Sequence, residues 1–176
     1  MIRISMLIGA LLLTAESGAQ TAQVDFTGNL LATTCAVSVN GSGTANGVVQ
    51  LADVPANRLA TAGAREGRRT WAVQVGNAGN RCLAQRVQLG FRNAGNVNPQ
   101  GRLRNTGTAR NVDVLIGRVD GSVADINLST NANSQVRDIP VATGVAVLTY
   151  SAEYFATAVA TVGSVVTSVQ FDLIYP

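Results

Sequence analysis

The stretch Val165 to Tyr175 constrains this chain more than any other. Every second side chain along it except Thr167 is bulky and apolar or aromatic, ending in Val169, Phe171, Leu173 and Tyr175. Ser168, Gln170 and Asp172 stand between them. Successive side chains of a strand point to opposite faces, so this spacing predicts a strand with one buried face. Its β-branched and aromatic content suits a pleated, half-buried surface. Such a face needs neighbours on both sides, and Pro176 follows at once. What covers this strand is the question the rest of the sequence has to answer.

The chain ahead of it also reads as short strands. Val24 to Leu30 alternates, with Val24, Phe26, Gly28 and Leu30 on one face. Ala36 to Val39, Val48 to Leu51, Trp71 to Val75 and Val87 to Phe91 are expected strands. So are Val112 to Val119, Val123 to Leu128, and Val145 to Tyr150 with Tyr154 and Phe155. Asn40-Gly41-Ser42-Gly43 is turn chemistry, and Asp120-Gly121 is a hairpin signal. Pro55 to Gly67 is expected to be a loop or short helical turn, and Arg92 to Asn111 a long polar stretch. No segment of helical period competes, so the class is all-β, a sandwich or barrel.

The N-terminus carries an export signal. Arg3 is followed by the apolar run Met6 to Leu13, too short to span a bilayer, and Ser17-Gly18-Ala19 offers small residues for cleavage after Ala19. Residues 1–19 are therefore read as a signal peptide, with no stable membrane insertion of the mature chain. Export leads to an oxidising compartment, where the two cysteines, Cys35 and Cys82, are expected to pair. Closing that loop stabilises by about 4 kcal/mol in the chain-entropy picture. The alternative, a metal pair, has too few soft ligands in a chain without histidine.

Composition narrows the function further. All 13 basic residues are arginine and there is no histidine, which removes histidine-based triads and lysine-dependent nucleophile or phosphate-loop schemes. The net charge of +3 is spread along the chain rather than gathered into a basic face, so no nucleic-acid partner is expected. Asp120 and Asp125 could pair as carboxylates, but they flank a hairpin signal and suit a solvated turn. Arg65, Arg68 and Arg69 could form an anion site, but a solvated loop is the expected setting. No enzyme, cofactor or metal is expected.

Taken together, Val24-x-Phe26-x-Gly28-x-Leu30 ahead of Cys35, Val49-x-Leu51, Trp71-x-Val73-x-Val75 before Cys82, and Asn111-Val112-x-Val114-x-Ile116 make an ordered set. Tyr154-x-Ala156-Thr157, Val162-Gly163 and Phe171-x-Leu173-x-Tyr175 complete it. In that order they resemble the fimbrial subunits of the chaperone–usher class, the type 1 and P pilin family, over nearly the whole mature chain. The sequence departs from that pattern by the longer segment Gly76 to Arg81 ahead of Cys82 and by Asp113, where small residues are common.

The resemblance implies an incomplete immunoglobulin-like sandwich that lacks its last strand. Residues 20–32 would be the donor-strand extension and 33–176 the pilin domain. Val24, Phe26, Gly28 and Leu30 would form the donor strand. Val169, Phe171, Leu173 and Tyr175 would line the acceptor groove and pair with the chaperone strand. The implied partners are neighbouring pilus subunits, a periplasmic chaperone and an outer-membrane usher, and the implied location is a cell-surface pilus reached through the periplasm. The alternative is a minor or adapter subunit, or a small receptor- or carbohydrate-binding adhesin module using Arg92 to Asn111. A tip adhesin with a separate lectin domain is not expected, since the chain leaves no room for one.

Overall fold

The alternating segments fold into two antiparallel sheets that face each other. This computed structural model describes residues 35–93, 95–130 and 133–176. The expected signal peptide and the expected donor residues Val24, Phe26, Gly28 and Leu30 lie outside the described residues.

The larger sheet is built on β2 (Arg65–Val75) and β8 (Ala146–Ala156), which pair along their length. Outside them lie β1 (Val37–Val39), β5 (Val112–Asp120) and β4 (Leu103–Arg104), in the order β1-β2-β8-β5-β4. β6 (Ser122–Asp125) folds back on β5. Gly121 makes that hairpin at φ +75°, a conformation open to glycine at no steric cost. The smaller sheet has the order β7-β3-β9, from β7 (Ser134–Asp138), β3 (Arg86–Phe91) and β9 (Phe171–Ile174).

The period-two pattern is what packs these sheets together. Trp71, Val73 and Val75 of β2 and Leu148 and Tyr150 of β8 turn inward against Val87, Leu89 and Phe91 of β3. Trp71, Phe91 and Tyr150 meet as an aromatic trio with ring centroids 5.0–6.2 Å apart, a geometry that adds to area burial. The expected disulfide Cys35–Cys82 is present, tying the residues before β1 to the segment that leads into β3.

Three local expectations need correction. Val48 to Leu51 is not a ladder strand: among the described residues its backbone pairs with none, and only its Val49 and Leu51 pack on the core. Arg65, Arg68 and Arg69 are not on a solvated loop but on β2, which reaches β8 across a bulge between Glu66 and Arg69. Arg68 grips the buried Glu153 of β8 in a bidentate pair at 2.9 and 3.0 Å, and Arg65 holds Asp125 at 2.7 and 3.0 Å. β7 is a further strand that the hydrophobic pattern does not reveal. Its inward residue Gln135 is polar and buried, while Val136 points out.

Candidate functional site: an open groove beside the last strand

From Val165 to Tyr175 the side chains alternate without a break: odd-numbered residues are half-buried and even-numbered ones exposed. The expected face is therefore real and reaches beyond the ladder. Only Phe171–Ile174 pairs, on β3, with Leu89 opposite Leu173 and Phe91 opposite Phe171. Val169 lies just ahead of the ladder and Tyr175 just past it, and both pack against the core with Phe171 and Leu173. None of the four is fully buried, although their partners Leu89 and Phe91 are.

The reason lies on the other side of β9. It is the edge of its sheet, and among the described residues no strand pairs with its outer side. A groove of about 780 Å³ runs there. One wall is 165–172, the other 45–51, with Val49 and Leu51 turned toward the core. Its floor is apolar and comes from the larger sheet: Trp71, Leu103, Val114, Ile116 and Ala152. Nothing in the sequence marks Trp71, Leu103 or Val49 as groove residues. Trp71 and Val49 read as ordinary strand residues and Leu103 falls within the polar stretch Arg92 to Asn111; they become a lining because no described strand covers β9.

The 165–172 wall is braced by its neighbours in the chain's fold. The amide of Arg92 donates to the Gln170 carbonyl at 2.9 Å, and that of Thr106 to the Val166 carbonyl at 2.8 Å. Arg92 also clamps the Asp172 carboxylate at 2.6 and 2.7 Å. That hydrogen-bonded pairing holds the Asp172 carboxyl below its ordinary range, and burial pushes the Tyr175 phenol up. The wall is thus held in place while, among the described residues, no strand covers its inner face.

Nothing in this site resembles acid–base machinery. Asp120 and Asp125 do not act as a pair: Asp125 is held by Arg65 at 2.7 Å, and Asp120 faces Arg137 at 3.7 Å. Arg65 and Arg68 form no anion site, since carboxylates take them both. Among the described residues no group of three or more acidic or cysteine side chains could hold a metal, and no helix is long and apolar enough to cross a membrane. The polar stretch expected at Arg92 to Asn111 carries a separate polar depression of about 480 Å³ around Asn105, Arg110 and Asn111. What the main groove can do is accept an extended segment whose alternate side chains are apolar. Main-chain bonds to the free edge would supply affinity, and the side chains would set the register.

No protein-family model matches the chain. It is 34% identical over 159 residues to the major fimbrial subunit SMF-1 of Stenotrophomonas maltophilia, across 86% of this chain and 90% of that protein. It is 30% identical over 181 residues to the F17 fimbrial protein of Escherichia coli, across 98% of each. Among solved structures it is similar to the P pilus rod subunit PapA, with a TM-score of 0.59 at 18% identity over 82% of this chain and 100% of that one. At that identity the likeness concerns the fold alone.

Proposed function

The chain belongs to the chaperone–usher fimbrial subunits, and from that premise we propose that it builds an adhesive pilus by donor-strand exchange. It is a structural subunit and not an enzyme. The observation that carries the reading is the half-buried odd-numbered face of 165–175 beside an edge that no described strand covers.

In this reading residues 20–32 of one copy enter the groove of another. Val24, Phe26 and Leu30 fill it, each contributing roughly 1.5–3 kcal/mol as an upper estimate. Gly28 passes where the groove is shallow, since an inward glycine in a strand suits a close approach. Val169, Phe171, Leu173 and Tyr175 form the acceptor side. The contact is heterologous and does not close on itself, so repetition gives a filament. An uncovered apolar edge invites aggregation. A periplasmic chaperone strand covers it during export, and an outer-membrane usher then takes the subunit to the cell surface, where the fibre serves adhesion.

The test is a deletion of Gln20 to Ala32 in mature protein co-expressed with its chaperone. The intact subunit is expected to give a ladder of multimers that survives an unheated denaturing gel and collapses on heating. The deletion variant should still bind the chaperone but fail to cap a neighbour. Normal polymerisation of the deletion variant would overturn the proposal.

A further inference from the structure

Among the described residues, the three most exposed large apolar side chains are Val162 at 88%, Val141 at 85% and Leu83 at 83%. They gather at opposite ends of the sandwich. Leu83 and Val141 lie at the disulfide end. Cys82 precedes Leu83, and its amide donates to the Gly144 carbonyl at 2.8 Å, in the turn that begins with Pro140. Val162 lies in the loop after β8 at the far end, with the exposed Val159 three residues before it.

We propose that these two ends meet in the filament, with Leu83 and Val141 of one copy packed on Val159 and Val162 of the copy that accepts its extension. This rests on the strand-exchange reading and adds to it the surface on which the folded bodies touch. Scattered exposed apolar residues need no explanation. Here the chain itself dictates which surfaces must come close.

The extension joins the described residues at Cys35, whose Cα lies 4.9 Å from that of Cys82, the neighbour of Leu83. From Leu30 to Cys35 there are five residue steps, at most about 18 Å when fully extended. A donor seated up to Leu30 therefore keeps its own disulfide end within about 18 Å of the mouth of the groove.

The proposal puts that mouth at the far end of the acceptor. The groove walls are 45–51 and 165–172, and Val165 packs on the cluster of Leu59, Ala109, Val112, Ala156 and Ala160. The same cluster anchors the loop bearing Val159 and Val162. The amide of Ala160 donates to the Leu59 carbonyl at 3.0 Å, and the Asn111 amide nitrogen donates to the Val159 carbonyl at 2.9 Å. Entry from this end makes the donor antiparallel to β9. The reverse polarity would bring the donating body to the acceptor's disulfide end, which the acceptor already uses to reach its own neighbour. Two bodies cannot share that place in a continuous chain.

Both surfaces are held firmly enough to serve as contacts. At the disulfide end Arg81 donates to the carbonyls of Val141 and Ala142. Gly76 and Gly144 meet so closely that a side chain on Gly76 would strike the Gly144 carbonyl. The segment Gly76 to Arg81, longer than the fimbrial pattern, thus fixes the turn that presents Val141. At the far end the Arg110 amide donates to the Thr161 hydroxyl at 2.9 Å.

The experiment is neighbour cross-linking in assembled fibres of the double variant Leu83→Cys with Val162→Cys, using a short bismaleimide. The two sites lie at opposite ends of one copy, so a bridge must join two copies. The ladder, heat-labile before treatment, is expected to become heat-stable. A control pairing Leu83→Cys with Val136→Cys, which stands on the face of β7 and is exposed, should stay heat-labile. As a measurement free of new thiols, Leu83→Ser with Val141→Ser should leave monomer unfolding unchanged and make assembled fibres dissociate several-fold faster. A ladder that forms normally but never becomes heat-stable, together with unchanged dissociation, would overturn the contact and leave strand exchange standing. If the unmodified subunit makes no ladder, both readings fall.

Discussion

β8 and β9 carry the same kind of sequence and meet different fates. Both alternate apolar and polar residues, and both turn their apolar side inward. β8 has β2 on one side and β5 on the other, and its Leu148 and Tyr150 are fully buried. β9 has β3 on one side and, among the described residues, no strand on the other, and its Phe171 and Leu173 stay half-exposed. An alternating pattern states which face must be covered; it does not state which chain does the covering. In β8 the cover comes from the same domain. In β9 we assign it to another copy.

The largest effect that could break this contrast is a pair of truncations. Leu148→Ala should destabilise the isolated subunit by about 3 kcal/mol, as expected of a fully buried leucine. Phe171→Ala should cost the isolated subunit only about 1–2 kcal/mol, because much of the ring is already in water, but about 3–5 kcal/mol once assembled, the range of a buried phenylalanine. Urea unfolding of monomer and fibre measures both. Equal costs for Phe171→Ala in the two states would mean that assembly adds no cover to β9.

The next effect sharpens the β8 side. The Tyr150 hydroxyl is buried with no hydrogen-bond partner among the described residues, and burial pushes its phenol well above the ordinary range. A folded pKa above the unfolded one gives stability that is whole below about pH 10 and lost as pH climbs toward the folded value. Tyr150→Phe should flatten this alkaline loss and leave neutral stability unchanged or higher by up to about 1 kcal/mol, since it removes an unpaired buried hydroxyl. Tyr154 and Tyr175, also raised by burial, keep a residual slope. A variant as alkali-sensitive as the parent in thermal melts between pH 8 and 11 would contradict the assignment.

The smallest effect belongs to the rim of β9. Asp172→Asn removes the exposed clamp on Arg92. Because that carboxyl is held below its ordinary range, the pair contributes above the unfolded carboxylate pKa and fades as pH falls through the folded one. The variant should differ slightly from the parent at neutral pH and low salt, and not at all in acid or high salt. A large difference that persists in high salt would show that Asp172 does more than brace the wall.

The sequence made the two-sheet core legible because Trp71 to Val75, Val87 to Phe91 and Val145 to Tyr150 obey the strand period and bury the side they should. The hairpin at Gly121 and the Cys35–Cys82 bridge were legible for chemical reasons, turn preference and redox compartment. β7 was not, since its inward Gln135 and outward Val136 invert the usual signal. Arg65 and Arg68 of β2 read as loop because their partners, Asp125 and the buried Glu153 of β8, are far along the chain. At the groove, the 165–175 wall was legible from its own alternation. The facing wall reads as a strand because Val48 to Leu51 has the composition of one, but its backbone finds no partner in the described chain.

The most direct test of the central claim is amide hydrogen exchange along Val165 to Tyr175, in monomer and in assembled fibre. The amides that face β3 should be protected in both. The amides on the outer edge of β9 should exchange quickly in the monomer and become strongly protected on assembly. If those outer amides are already protected in the monomer, the chain covers its own last strand, and donor-strand exchange at this groove is wrong.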